Sequence, residues 1–199
     1  MKITLLLRVP FLDKIPNLKT LIVDFAKKGV DITIISAVNE NYPVSDLSRF
    51  SNVKMVLVKQ RTKRFELPTS AKLLLATIKN ILFSKSNYYI GGDNYASHLL
   101  MILKKYFSFT YINFILEYPD INKTVELNEI EAANYIITHD HWHAEFISKY
   151  CNLRNGQILF LPNASYTDEH RVQLSCRVPA NPIRQEHHST FWWFRKVVL

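Results

Sequence analysis

The sequence predicts an α/β fold, with a doubly wound, mostly parallel sheet and an irregular C-terminal tail. Short apolar segments alternate with helical patterns along residues 1–165, which is typical of parallel strands joined by helices. The first segment, residues 3–7, is apolar apart from Thr4, as expected where helices cover both faces of a sheet. At 199 residues and 48% hydrophobic content, the chain is long enough to bury the core of one domain.

Seven strands and five helices are predicted from these patterns. The strands are short apolar runs, several of them rich in β-branched residues, and the helices repeat apolar residues three or four positions apart. Gly29 is a good C-cap for the first helix. The predicted strands are 3–7, 31–36, 53–58, 88–90, 110–116, 135–138 and 158–161, and the predicted helices are 18–28, 69–83, 95–106, 125–132 and 140–150.

The end of the chain differs in composition from the rest. Lysines outnumber arginines fifteen to five up to His170, and after it the ratio is one to four. Only 36 residues follow Asn163, which is too few for a second α/β domain. The sequence therefore predicts one domain over residues 1–165. Residues 166–199 are interpreted either as a genuine linker or tail or as a truncated or out-of-frame end.

Positive charge is concentrated in one stretch of the sequence. The net charge is +8, and the stretch from Arg49 to Lys85 holds nine basic residues and one acid. Such a patch suits an anionic partner, although a solvated lysine-rich surface explains it equally well. The candidate residues for contact with an anion or a membrane surface are Lys59, Arg61, Lys63, Arg64, Lys72 and Lys79.

Targeting signals and cysteine spacing indicate the compartment. The first residues lack the long apolar region and cleavage site of a signal peptide, and no apolar run is long enough to span a bilayer. Cys151 and Cys176 show neither metal-binding nor disulfide spacing. We therefore expect a cytoplasmic protein, either soluble or peripheral on the inner face of the membrane.

The number and spacing of the glycines argue against two classes of enzyme. The chain has four glycines, and they form neither a GxGxxG motif nor a P-loop. The Rossmann-like architecture therefore lacks the backbone that brings a dinucleotide pyrophosphate against a helix N-terminus. Oxidoreductase and NTPase functions are disfavoured, and no cofactor is expected.

Several segments together resemble a known family. The helix ending at Gly29 runs into DITIIS, the fourth strand leads into YIGGDNYAS, and the last predicted elements carry ANYIITHD and ILFLPNAS. Over residues 1–165 this arrangement resembles the N-terminal domain of family-four, GT-B glycosyltransferases. The sequence departs from that family in two places. The loop after the first strand is RVPFLDKIP rather than a Gly-Gly pair, and the second domain is absent.

The resemblance implies roles for particular residues. An N-terminal domain of this family holds the acceptor and supplies any general base, for which Glu117 and Asp93 are the candidates. Asp93 is also explained as a helix N-cap, and Glu117 as a surface loop acid. Asp120, His139 and Asn163 are expected to line the cleft, although a turn also explains Asn163.

The segment His139-Asp140-His141-Trp142-His143 raises the question of a metal site. His139 and His143 are four residues apart and could share a helix face. No second pair of ligands is obvious in the sequence, and Asp140 is a natural N-cap. The sequence therefore predicts no metal.

The favoured hypothesis is the acceptor-binding half of a hexosyltransferase-like enzyme that is inactive alone. A nucleotide-sugar donor would bind a missing C-terminal domain or partner chain, and the acceptor would be a saccharide or a lipid-linked saccharide. The alternative is a non-catalytic subunit that binds acceptor or docks on the membrane. A nucleic-acid-binding module is a third hypothesis, but the chain lacks an aromatic-basic recognition motif, so no nucleic acid is expected.

Overall fold

Seven strands form one sheet in the computed structural model, which describes residues 1–8, 12–38, 46–60, 67–117, 119–120 and 122–161. Each neighbouring pair of strands is parallel. The strands are β1 (Lys2–Leu7), β2 (Asp31–Val38), β3 (Val53–Lys59), β4 (Tyr88–Gly91), β5 (Thr110–Phe114), β6 (Tyr135–Thr138) and β7 (Ile158–Phe160). Their order in the sheet is β3-β2-β1-β4-β5-β6-β7.

Helices cover both faces of this sheet. The α-helices in the described residues are α1 (Pro16–Lys27), α2 (Leu67–Phe83), α3 (Asn94–Lys104), α4 (Thr124–Ala132) and α5 (His141–Tyr150). On one face, Leu18 and Ile22 of α1 pack with Leu5 of β1. On the other face, Leu6 of β1 belongs to a separate core with residues of α2 to α5, including Leu100. Alternate residues of β1 thus point into two cores, which explains why the strand is apolar apart from Lys2 and Thr4.

The predicted α/β fold is therefore confirmed, with every predicted strand and helix present. Several predicted boundaries are wrong by one or two residues. The difference that affects the site is at β5, which ends at Phe114 rather than at residue 116. The last residue of β4, Gly91, pairs with Asn113, so β5 has no β4 neighbour beyond that point. On the β6 side, one backbone hydrogen bond among the described residues follows the end of β5, from Ile115 N–H to the Ile137 carbonyl (2.9 Å). Glu117 consequently lies in the loop after β5 and does not end the strand.

The order of the strands reverses between β1 and β4. β2 and β3 extend the sheet on one side of β1, whereas β4 to β7 extend it on the other. Ligands of such sheets bind beyond the carboxyl ends of the strands, at this reversal point. The described residues that follow β1, β4 and β5 therefore define a candidate site.

No helix among the described residues is both long and apolar enough to cross a membrane.

Candidate functional site

Asp93 joins the ends of β4 and β1. Its Oδ1 accepts a hydrogen bond from Ala96 N–H at 2.9 Å, which caps α3, and its Oδ2 accepts one from Arg8 N–H at 2.6 Å. Burial raises the pKa of the Asp93 carboxyl above its ordinary value, although these two N–H bonds act in the opposite direction. Both oxygens therefore bond backbone groups, which supports the N-cap interpretation; its catalytic role stays a prediction.

Two glycines allow β4 to approach α3 and α1 closely. A Cβ on Gly91 would lie 2.9 Å from the Ser97 Cα of α3. A Cβ on Gly92 would lie 2.5 Å from the Leu7 Cδ2 of β1 and 3.0 Å from the Leu18 Cδ2 of α1. The close approach of Gly91 places the Ser97 hydroxyl where it donates to Asn113 Oδ1 at 2.8 Å. Because Ser97 and Asn113 are both buried, this bond fixes the end of β5 against the start of α3.

A polar pocket of ≈ 170 Å³ opens beside the end of β5. The loop after β5, the first residue of α3 and the inner side of α4 form its walls. Glu117 and Asp120, two of the predicted site residues, line it together, but Asp93 is not among the lining residues. The pocket is lined by Asn94, Asn113, Ile115, Glu117, Pro119, Asp120, Lys123, Glu126, Glu129 and Ile130.

Short hydrogen bonds hold the turn at the mouth of the pocket. Asp120 N–H donates to Glu126 Oε2 at 2.8 Å, and Asn122 N–H donates to Asp120 Oδ1 at 3.0 Å. Lys123 Nζ lies 3.2 Å from Glu126 Oε1 and 3.6 Å from Asp120 Oδ2. The bond from Asn122 N–H, aided by the charge of Lys123, holds the pKa of Asp120 below its ordinary value. Asp120 is therefore a stable anion at neutral pH, suited to accepting hydrogen bonds from a ligand.

Glu129 is a pocket residue that sequence reasoning missed. It lies on α4, is 5% exposed, and its Oε1 is 2.9 Å from His98 Nδ1 on α3. Burial, together with the negative charge of Glu126, raises the pKa of Glu129 to about 7. The acidic character of this helix was visible in the sequence. Its contact with a histidine 31 positions earlier was not.

The raised pKa of Glu129 predicts a pH-dependent stability. Because the pKa of Glu129 is higher in the folded protein, the folded state keeps the proton at pH values where the unfolded chain has lost it. This contribution to the free energy of unfolding is complete at low pH and is lost as the pH rises from about 4.5 to about 7. Relative to Glu129→Gln, the natural protein should lose about 2 kcal/mol of unfolding free energy between pH 5 and pH 8. Urea unfolding at both pH values measures this difference. Glu145→Gln, which neutralises an exposed acid on α5, is the control.

Asp140 binds two histidine rings where β6 meets α5. Its Oδ1 accepts from His143 N–H at 2.6 Å and caps α5. Its Oδ2 lies 2.7 Å from His143 Nδ1 and 3.0 Å from His139 Nε2. Although desolvation acts to raise the pKa of Asp140, the hydrogen bonds from His143 and the charges of both histidines hold it below its ordinary value. The N-cap prediction is thus confirmed, with two additional contacts.

Three of the six residues predicted to form the basic patch lie in the described part of the chain. Lys59 ends β3, and Lys72 and Lys79 lie on α2; all three are exposed. The other predicted members of the patch, Arg61, Lys63 and Arg64, lie outside the described residues, as do Asn163 and the tail at 166–199. On α2, the exposed lysines share a face with Leu75, Leu82 and Phe83, which are 64%, 50% and 78% exposed.

Solved structures with the same fold include enzymes that act on sugars. Sucrose-phosphate synthase from Thermosynechococcus elongatus matches with a TM-score of 0.64 and 12% identity, over 81% of this chain and 48% of that chain. Anabaena Alr3699/HepE in complex with UDP and glucose matches with a TM-score of 0.57 and 12% identity, over 82% and 44%. A UDP-N-acetylglucosamine 2-epimerase matches with a TM-score of 0.59 and 11% identity, over 80% and 47%.

The region of likeness is one domain of these proteins. No protein-family model and no curated protein matches the sequence. At these identities the structural likeness shows the fold alone. A shorter piece of the same synthase, designated 27_220_406_426, is covered over 90% of its length, with a TM-score of 0.59. The chain thus has the Rossmann-like fold of the N-terminal domain of GT-B glycosyltransferases, and it spans about half the length of the full-length structures described above.

Proposed function

We propose that this chain is the acceptor-binding half of a glycosyltransferase that moves a sugar from a nucleotide-sugar to a saccharide or lipid-linked acceptor. The observation that supports this most directly is the polar pocket beside the end of β5. It brings Glu117 and Asp120 together on the edge of the sheet where ligands of this fold class bind. Clustered carboxylates and amides suit the hydroxyl groups of a sugar, because each oxygen accepts a hydrogen bond.

Glu117 is the residue we assign to activation of the acceptor hydroxyl. Its side chain is exposed at the pocket mouth, whereas Asp93 already accepts two backbone N–H bonds. Asp120 and the amide of Asn113 would orient the acceptor beside it. A general base must reach the hydroxyl proton directly or through one water, and a loop carboxylate can adjust to do so.

The donor would bind a second domain or a separate chain. HepE, a protein of this fold, is solved with UDP and glucose, and this chain corresponds to 44% of its length. A nucleotide-sugar site shared between two domains is incomplete when one of them is missing. Alone, this chain should therefore bind acceptor and transfer no sugar above background.

The test is saccharide binding by the whole chain, followed through amide chemical shifts. We expect a subset of mono- and disaccharides to shift the signals of the pocket residues. Glu117→Gln should weaken that binding about 10-fold, because a charge-assisted hydrogen bond becomes a neutral one. Asp31→Asn changes an exposed carboxylate at the opposite edge of the sheet and should leave binding unchanged.

Besides a failure of the Asp31→Asn control, two outcomes would contradict the proposal. One is that UDP-glucose, but no saccharide, shifts the pocket signals, since the chain would then be a donor-binding half. The other is turnover of UDP-glucose by the chain alone at an ordinary enzymatic rate of about 1 per second or more. Equal weakening by Glu117→Gln and Asp31→Asn would remove the pocket from the proposal.

A second candidate function is a membrane-docking subunit without catalytic activity. The exposed face of α2 combines the apolar side chains of Leu75, Leu82 and Phe83 with Lys72 and Lys79. A helix with apolar and basic residues on one face suits the surface of an anionic bilayer, where each lysine contributes about 1 kcal/mol. This face would also bring a transferase to a lipid-linked acceptor.

Vesicle sedimentation tests this candidate function. Phosphatidylcholine vesicles that contain phosphatidylglycerol should bind the chain, and binding should weaken as salt rises. Lys72→Glu with Lys79→Glu should reduce binding by at least about 30-fold, since at least about 2 kcal/mol is lost. Lys105→Glu with Lys149→Glu makes the same change of charge at exposed positions on other elements. Equal losses in both pairs would mean that net charge, not the α2 face, determines binding.

A further inference from the structure

Three side chains that commonly bind metals converge at the junction of β6 and α5. His139 follows β6, Asp140 caps α5, and His143 lies in its first turn. One ligand atom from each lies within 4.8 Å of the other two. We propose that His139 Nε2, Asp140 Oδ2 and His143 Nδ1 bind a divalent transition-metal ion of the zinc class.

The distances between these atoms fit such an ion. Asp140 Oδ2 lies 2.7 Å from His143 Nδ1 and 3.0 Å from His139 Nε2. Ligands of tetrahedral zinc, at bond lengths of about 2.0–2.1 Å, are about 3.3 Å apart. The two measured separations are short of that by about 0.6 Å or less, which small rotations of the side chains can supply.

The N-cap alone does not require this arrangement. Capping uses Asp140 Oδ1, which accepts from His143 N–H at 2.6 Å, and leaves Oδ2 with no part in the cap. Oδ2 nevertheless contacts two imidazole nitrogens from different segments. The two rings are also packed together, with centroids 4.5 Å apart and an interplanar angle of 56°. The two imidazole nitrogens and this carboxylate oxygen therefore form a group of metal-ligand atoms in addition to the helix cap.

The surroundings leave one side of the donor set accessible. The side chain of His143 is 4% exposed, that of His139 is 17% exposed and that of Asp140 is 33% exposed. A bound ion would thus be held by a buried ring on one side and reach solvent on the other. Three protein ligands with an open fourth position permit a water or a ligand atom to complete the coordination.

The chemistry of the three ligands selects a class of ion. Two imidazole nitrogens with one carboxylate oxygen favour zinc, cobalt, nickel or ferrous iron. Magnesium and calcium prefer oxygen ligands and should bind poorly here. The site lies at the carboxyl edge of the sheet but does not include Glu117 or Asp120, so it stands independently of the proposed acceptor pocket.

Titration of the whole untagged chain with cobalt and with zinc tests the proposal. We expect one equivalent of cobalt to produce visible d–d absorption, zinc to displace it, and zinc to raise the melting temperature. His139→Ala and His143→Ala should each weaken zinc binding by at least about 100-fold. Asp140→Asn should also weaken it while retaining the cap, since asparagine caps helices as well as aspartate does.

Two control variants separate this site from other histidines. His141→Ala removes an exposed ring on the same helix, which stacks on Phe160 with centroids 4.4 Å apart, and should leave binding intact. His187→Ala with His188→Ala removes the histidine pair of the tail and should also leave binding intact. The proposal is overturned if no cobalt spectrum appears, or if the His187 and His188 variant alone loses the ion. Circular dichroism verifies that each variant is folded.

Discussion

Gly91→Ala should lower the free energy of unfolding by about 3 kcal/mol, as expected for overpacking a close contact. The added Cβ would lie 2.6 Å from Ser97 Oγ, 2.9 Å from Ser97 Cα and 3.0 Å from Ser97 N. Because two of these atoms belong to the backbone of α3, a side-chain rotation cannot relieve the contact. The helix must move away from β4, which strains the bond from Ser97 Oγ to Asn113 Oδ1. Urea unfolding followed by circular dichroism measures the loss.

The comparison with Gly29→Ala distinguishes the loss of space from backbone strain. Gly29 has a φ of 75°, and a Cβ there would meet nothing within 4 Å. Its substitution should therefore lower the unfolding free energy by about 1 kcal/mol, from the left-handed backbone conformation alone. If the two alanine variants lost equal amounts of unfolding free energy, the contact between β4 and α3 would be looser than the distances at Gly91 indicate.

Asp93→Ala should lower the free energy of unfolding by about 2 kcal/mol. The substitution removes the cap on α3 at Ala96 N–H and the acceptor for Arg8 N–H. Part of this loss is offset because burial disfavours the charged carboxylate, as its raised pKa shows. Thermal unfolding together with urea unfolding measures the change.

Asp93→Asn separates the capping role from a catalytic one. The amide oxygen can still accept from Ala96 N–H, but the NH2 group cannot accept from Arg8 N–H, so the loss should be about 1 kcal/mol, smaller than in Asp93→Ala. If Asp93 were the general base, this variant would keep its stability and lose transfer once the donor-binding half is supplied. A loss as large as that of Asp93→Ala would instead mean that the acceptor for Arg8 N–H, rather than the cap, holds β1 to β4.

The agreement between prediction and structure is closest where local patterns are strong. Residues 3–7 are apolar except for Thr4, and the core strand β1 covers them, because a strand buried on both faces needs mostly apolar residues. The hydroxyl of the buried Thr4 donates to Asn80 Oδ1 at 2.8 Å. The helix predicted at 69–83 is observed at Leu67–Phe83, since apolar residues repeat along it at helical spacing. Element type and order depend on such neighbours in sequence and are therefore predictable.

Some features of the candidate site were also predictable from the sequence, and others were not. The common location of Glu117 and Asp120 was predictable, because both follow a parallel strand at the carboxyl edge. The end of β5 was not predictable, because it depends on where the neighbouring strand β4 ends. Asp93 and Asp140 were recognised as caps from their positions before helices, a local signal, and their second contacts come from distant or adjoining segments.

From the sequence alone come the fold class, the order of its elements, the basic stretch and the acids placed after the strands. Each depends on residue types a few positions apart, which determine periodicity and turns. Tertiary structure alone decided which side chains distant in sequence meet: Glu129 with His98, and Ser97 with Asn113. Burial, and with it the raised pKa of Glu129, arises only when α3 and α4 pack together, because desolvation depends on every element around a group.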